Sequence, residues 1–176
     1  MFSVKMSGSL AEIRAGVDAL ASPQLRQRFA FAINHTLGKT ETQVNRALVK
    51  QTGLKYSTVK AAMKRYSANA GSLKGEIVGR GGYTTLGQFG PRQTSKGVSA
   101  APWGDRQLFE GTFMVARYGG EVYRRTGSSR FPIKKLYGPA IPKEMVKDEA
   151  EAAFHRTVAS ELPSRVNHEL SRLIGG

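Results

Sequence analysis

The stretch KYSTVKAAMKRY, residues 55–66, holds Lys55, Lys60, Lys64 and Arg65. A second cationic set, Arg124, Arg125 and Lys134, stands in EVYRRTGSSRFPIKK, residues 121–135. Lysine and arginine at this density suit charge-assisted hydrogen bonding to phosphates or carboxylates. A helix over residues 58–67 would gather the first set near one end of one element. Strand alternation would put only part of the second set on one surface. Three readings follow: contact with DNA phosphates, pairing with acidic residues of a neighbouring subunit, or an ordinary solvated basic face.

Residue types for covalent chemistry are sparse. The histidines are His35, His155 and His168, and no two have HExxH-type spacing. No serine sits in a G-x-S-x-G elbow. Cysteine is absent, which excludes disulfides and thiolate metal sites. GRGGYTTLG, residues 79–87, is glycine-rich but is not G-x-G-x-x-G, and no helical pattern follows it, so it reads as a loop rather than a phosphate cradle. Carboxylates form no convincing acid–base pair. The expectation is a protein that is not an enzyme, with no catalytic, cofactor-binding or metal-binding residues.

The chain has 176 residues and a formal charge of +14, from 27 Lys+Arg against 13 Asp+Glu. The length suits one domain, and an apolar share of 40% is enough for a core. Such an excess of cations points to a polyanionic partner or an acidic protein surface. The charge is unevenly spread. Residues 39–80 and residues 81–143 each carry +7, whereas the last 33 residues carry −2. The N-terminal stretch MFSVKMSGSLAEIRAG lacks the apolar core of a signal peptide, and no run approaches the ~20 apolar residues of a membrane span. The expectation is a chain made in a cytoplasm, with no membrane partner.

The elements that must position these residues follow from periodicity. FSVKM, residues 2–6, alternates as a short strand. Ser9 and Glu12 form a capping-box pattern for a helix over residues 10–20. Ser22-Pro23 starts a long helix to about Gln51, with Gly38 as a weak point and Gly53 as its stop. Ser57 would cap a basic helix ending before Gly71. Residues 71–142 read as a small antiparallel sheet, with residues 79–103 as a long loop or mobile hairpin. A closing helix is expected over residues 143–174, kinked or split by Pro163. The fold class is therefore α+β: long amphipathic helices on a small antiparallel sheet with a long insertion, in one domain over residues 1–176. Its parts are a helical 1–70, a β-rich 71–142 and a helical 143–176.

SRFPIKKLYGPAIPKEM, residues 129–145, joins sheet to helix. Its prolines fix φ and confine it to a sheet edge or a crossing segment. Its apolar side chains Phe131, Ile133, Leu136 and Tyr137 are candidates for core or interface, with Phe131, Ile133 and Tyr137 expected against the long helices. Trp103 and Phe89 either pack locally under a loop or anchor a protein interface.

RRTGSSRFPIKKLYGPAIPKEM, preceded by a basic strand pair and followed by an amphipathic helix, resembles the lambda-type phage minor tail protein Z family. AINHTLGKTETQVNRAL on the second helix and STVKAAMKRY after it are similar too. The resemblance implies a structural component of a tailed-phage virion or prophage, acting in tail completion at the neck, near the head–tail junction, and without catalytic residues. It further implies self-association into a ring, a hexamer being one closed form. Tail terminator, tail tube or head–tail connector proteins are the implied neighbours, with phage DNA in the lumen. A free, sequence-indifferent nucleic-acid-binding protein is the alternative.

Overall fold

Ser22 and Pro23 start the first described helix where the sequence places it. The computed structural model describes residues 22–174, so the strand expected at 2–6 and the helix expected at 10–20 lie outside the described residues. Helix α1, Pro23–Thr52, begins with the Arg26 amide donating to the Ser22 carbonyl at 3.0 Å. It ends at Gly53, whose φ of +75° is the left-handed stop that glycine adopts without strain. A Cβ at Gly53 would also come within 2.7 Å of the Gly104 amide nitrogen. Gly38 does not interrupt α1. It makes room for the Arg65 guanidinium, which a Cβ there would approach to 2.8 Å.

The fold is α+β. The chain forms two compact units, each discontinuous in sequence. The first holds, among the described residues, 22–44, 63–78 and 152–174; the second holds 45–62 and 79–151. These divisions differ from sequence boundaries at 70 and 142, because α1 and the last helix each run from one unit into the other.

In the first unit, Ala30, Ala32, Leu37 and Val44 of α1 are buried, with Met63, Ala68, Ile77 and Ala153. Strands β1, Met63–Tyr66, and β2, Glu76–Gly79, form a two-stranded sheet. Their connection is held by polar groups of α1. The Asn34 side chain donates to the Ala68 carbonyl at 2.9 Å and accepts from its amide at 2.7 Å. Arg26 donates to the carbonyls of Ala70 and Gly71. These bonds satisfy backbone groups that a two-stranded sheet leaves unpaired.

The second unit contains helix α2, Tyr56–Ala62, and two three-stranded antiparallel sheets. One sheet joins β3, Arg92–Gln93, β4, Gly97–Ala100, and β5, Gln107–Glu110, in that order. The other joins β6, Thr112–Val115, β7, Glu121–Arg125, and β8, Ile133–Lys135. A short helix α3, Ile141–Glu144, precedes helix α4, Asp148–Ile174. Pro163 lies within α4 and does not split it.

Two expectations need correction. The basic helix expected over 58–67 stops at Ala62, and Lys64 and Arg65 belong to strand β1. Pairing with β2 replaces the last helical turn there. Residues 79–103, expected as a long loop or mobile hairpin, contribute to the core: Leu86 and Val98 are fully buried, Ala100 likewise, and Phe89 nearly so. A tight turn between Thr94 and Gly97 closes the β3–β4 hairpin, with the Thr94 amide donating to the Gly97 carbonyl at 2.7 Å. The Phe89 ring lies against Gly138, where a Cβ would come within 2.7 Å of it.

Candidate functional site

The β7–β8 hairpin brings the second cationic set together. Cross-strand register places Arg124 opposite Lys134, Arg125 opposite Ile133, and Tyr123 opposite Lys135. The Leu136 amide donates to the Val122 carbonyl at 2.9 Å, and the Thr126 amide donates to the Pro132 carbonyl at 3.2 Å. These bonds lock the register on either side of the Arg124–Lys134 row. An open groove of about 540 Å³ is lined by Arg124, Arg125, Lys134 and Lys135, with Thr126, Leu136 and Tyr137.

The two rows of the sheet differ. One crosses three strands as Phe113, Tyr123 and Lys135. Its rings lie 6.5 Å apart, Lys135 stands 5.9 Å over Tyr123, and Arg125 stands 5.3 Å over Phe113. Tyr118 meets Tyr123 edge-on at 5.8 Å. Lys135 also approaches Glu121 at 3.9 Å. The other row, Thr112, Arg124 and Lys134, sets two exposed cations side by side. Arg124 is aimed by one bond, from its guanidinium to the Glu110 carbonyl at 3.2 Å. No carboxylate among the described residues pairs with Arg124 or Lys134. From Val122 to Lys143 the chain has six cations and no acid.

The first cationic set is divided. Lys55 and Lys60 are exposed at and on α2 in the second unit, whereas Lys64 and Arg65 lie on β1 in the first. Arg65 is engaged by Glu41 at 3.4 Å, and Lys64 lies 5.2 Å over the Tyr66 ring. The helical geometry that was to gather all four is absent.

The apolar candidates also separate. Phe131 is 62% exposed and Tyr137 54% exposed, so the expected packing of these rings against the long helices is overturned. They flank strand β8, Phe131 before it and Tyr137 after it. Ile133 and Leu136 are half-buried. Phe89 belongs to the core, and Trp103 remains 46% exposed. The Trp103 indole N–H is directed at the Glu144 carboxylate, 3.5 Å away.

Glu144 itself gave no signal in the sequence. It is buried and collects the Gln51 side-chain amide at 3.1 Å and Lys147 at 3.0 Å. Gln51 also donates to the Glu144 carbonyl and accepts from the Ala150 amide. Burial by itself would raise the Glu144 pKa. Hydrogen bonds from Gln51, Lys147 and Trp103, with the Lys147 charge, outweigh it and hold the carboxyl below its ordinary value. The group fastens α1, α3 and the start of α4 in the second unit. The aromatic–cationic row around Tyr123 was missed as well, although Tyr123 and Arg125 are two apart on a strand, the spacing that puts them on one face.

No three His, Asp or Glu residues among the described residues are grouped to hold a metal ion. No helix among them is long and apolar enough to cross a membrane.

The family model of prophage minor tail protein Z (GPZ) matches residues 16–175. The chain belongs to that family: it is a phage minor tail protein, a structural component of the virion tail. No curated protein and no solved structure matches it.

Proposed function

We propose that this minor tail protein is a non-enzymatic tail-completion subunit. It associates with copies of itself into a ring around the DNA path, at the neck near the head–tail junction. The observation that carries the reading is the set of large side chains left in solvent in the second unit. Tyr83, Trp103, Tyr118, Phe131 and Tyr137 are each 46% exposed or more. Aromatic residues concentrate in protein interfaces, where burying each ring contributes more than leaving it in water. A tail is built about one axis, and a heterologous contact repeated about an axis closes into a ring. Neighbours along that axis would be tail terminator, tail tube or connector proteins.

Two measurements test this. Sedimentation velocity of the isolated protein reads self-association, and electron cryomicroscopy of particles carrying a tagged chain reads position. The expected result is a closed ring of tagged density at the head-proximal end of the tail. Density at the distal tip, or a single copy off the axis, would overturn the reading.

A further inference from the structure

The central pair of the hairpin is costly for folding alone. Arg124 and Lys134 are directly opposite on neighbouring strands, where like charges repel. No acid occurs from Val122 to Lys143, and no carboxylate among the described residues pairs with Arg124 or Lys134. A feature that breaks a local rule of stability is expected where function requires it. Arg125 and Lys135 neighbour the pair in sequence and line the same open groove, and Arg130 follows in the connecting turn.

An anionic occupant is implied, and three observations favour a nucleic-acid backbone. Six of the chain's thirteen acids, Glu41, Glu76, Glu121, Glu144, Glu161 and Glu169, are each paired with one of its own cations. A second copy is itself strongly cationic, with 27 Lys+Arg against 13 Asp+Glu, and so matches the hairpin poorly. The composition is also unlike a protein interface, whose core is depleted in lysine. Interfaces with DNA, by contrast, are polar and strongly positive. Finally, Phe113 and Tyr123 carry Arg125 and Lys135 over their faces. Those two rings are thus occupied and offer a single strand no stacking face.

We propose that the β7–β8 hairpin binds the phosphate backbone of duplex DNA without regard to sequence, with Arg124 and Lys134 as its central contacts. Arg125 and Lys135, engaged over Phe113 and Tyr123 on the other face of the strands, add to the positive field rather than to the direct contact. The inference concerns one chain and holds whether or not the protein forms a ring.

The test is fluorescence anisotropy of the full-length protein with a short random-sequence duplex over a range of salt. Arg124→Ala/Lys134→Ala is expected to weaken binding by about tenfold or more, and to flatten the log–log salt slope by about 1.8, at roughly 0.9 per phosphate contact. Lys55→Ala/Lys60→Ala removes the same charge elsewhere and is expected to weaken binding by less than about threefold. Lys134→Glu guards against trivial unfolding, because it sets an opposite charge across from Arg124. It should melt no lower than the wild type while binding DNA worse. Equal weakening by the two alanine pairs, or no duplex binding at all, would overturn the proposal. So would tighter binding to a single strand of equal length, or binding to an acidic tail protein in place of DNA. A monomer that binds duplex through Arg124 and Lys134 would sink the ring and leave this inference standing.

Discussion

The two units use charge differently, although the second too has matched pairs, Lys135 with Glu121 and Lys147 with Glu144. In the first, cations are matched. Glu169 is buried between Arg165 at 2.7 Å and Arg28 at 3.4 Å, and Glu161 receives Lys39 at 2.7 Å. Arg65 meets Glu41, and Lys74 meets Glu76. In the second, the β7–β8 hairpin sets cation against cation and leaves aromatic rings in solvent. Charge in the first unit serves to fix helices and strands to one another. On the hairpin, Arg124 and Lys134 have no carboxylate partner among the described residues. A formal +14 is thus not one uniform field, and its sign alone would not have located the site.

The largest effect expected on folding comes from the core of the second unit. Leu86 is fully buried in a segment rich in glycine. Leu86→Ala should lower stability by about 2–5 kcal/mol, by lost burial and the cavity left behind. Chemical denaturation checks it. A loss under about 0.5 kcal/mol would mean that residues 79–103 contribute no core, and the contrast between a folded insertion and an exposed hairpin would fail.

Next comes the matched charge of the first unit. Glu169→Ala strips two arginines of their shared acceptor. Because Arg28 and Arg165 are about a third exposed, water partly compensates. A loss of about 1–3 kcal/mol is expected, against about 0.5 or less for Arg124→Ala. Similar losses for both would erase the distinction between structural and available charge.

Glu144 sharpens the comparison by pH. Its folded pKa is lowered, so its contribution is fully present above the ordinary glutamate value of 4.5 and is lost as pH falls through the lower folded value. Stability of the wild type should therefore fall on acidification below that range. Glu144→Gln should cost about 1 kcal/mol at neutral pH and show a shallower acid fall. Parallel pH curves for the two proteins would count against the role given to this carboxylate.

The sequence discloses those parts whose determinants are local. Ser22-Pro23 and Gly53 bound α1 because a cap, a proline and a left-handed glycine act within one turn. The stretch MKRY continues the helical spacing of Val59, Met63 and Tyr66, so local pattern places it in a helix. Its pairing with Glu76–Gly79 depends on residues more than ten positions away. Leu86, Phe89, Val98 and Ala100 show no period, and Phe89 is buried against Gly138, far along the chain. The members of the cationic hairpin were legible as residue types. The opposition of Arg124 to Lys134 was not, since register is set by the turn between Thr126 and Pro132.

The smallest effect on stability is expected where the sequence had promised a large one. Phe131 and Tyr137 are more than half exposed, and removing an exposed ring leaves no cavity. Phe131 has Arg130 at 5.8 Å from its ring centre, a contact worth roughly 0.5–1 kcal/mol at an exposed site at most. Phe131→Ser and Tyr137→Ser should therefore each change stability by about 0.5 kcal/mol or less. If these rings instead meet a neighbouring subunit, the same substitutions should reduce the yield of complete, infectious tails while the purified chain melts as before. Thermal melting and complementation of a tail-defective phage read the two quantities separately. Lost stability with lost yield would return these rings to a core role. Unchanged yield with unchanged stability would remove them from the interface and leave the hairpin's charge as the one feature of this surface that a partner must meet.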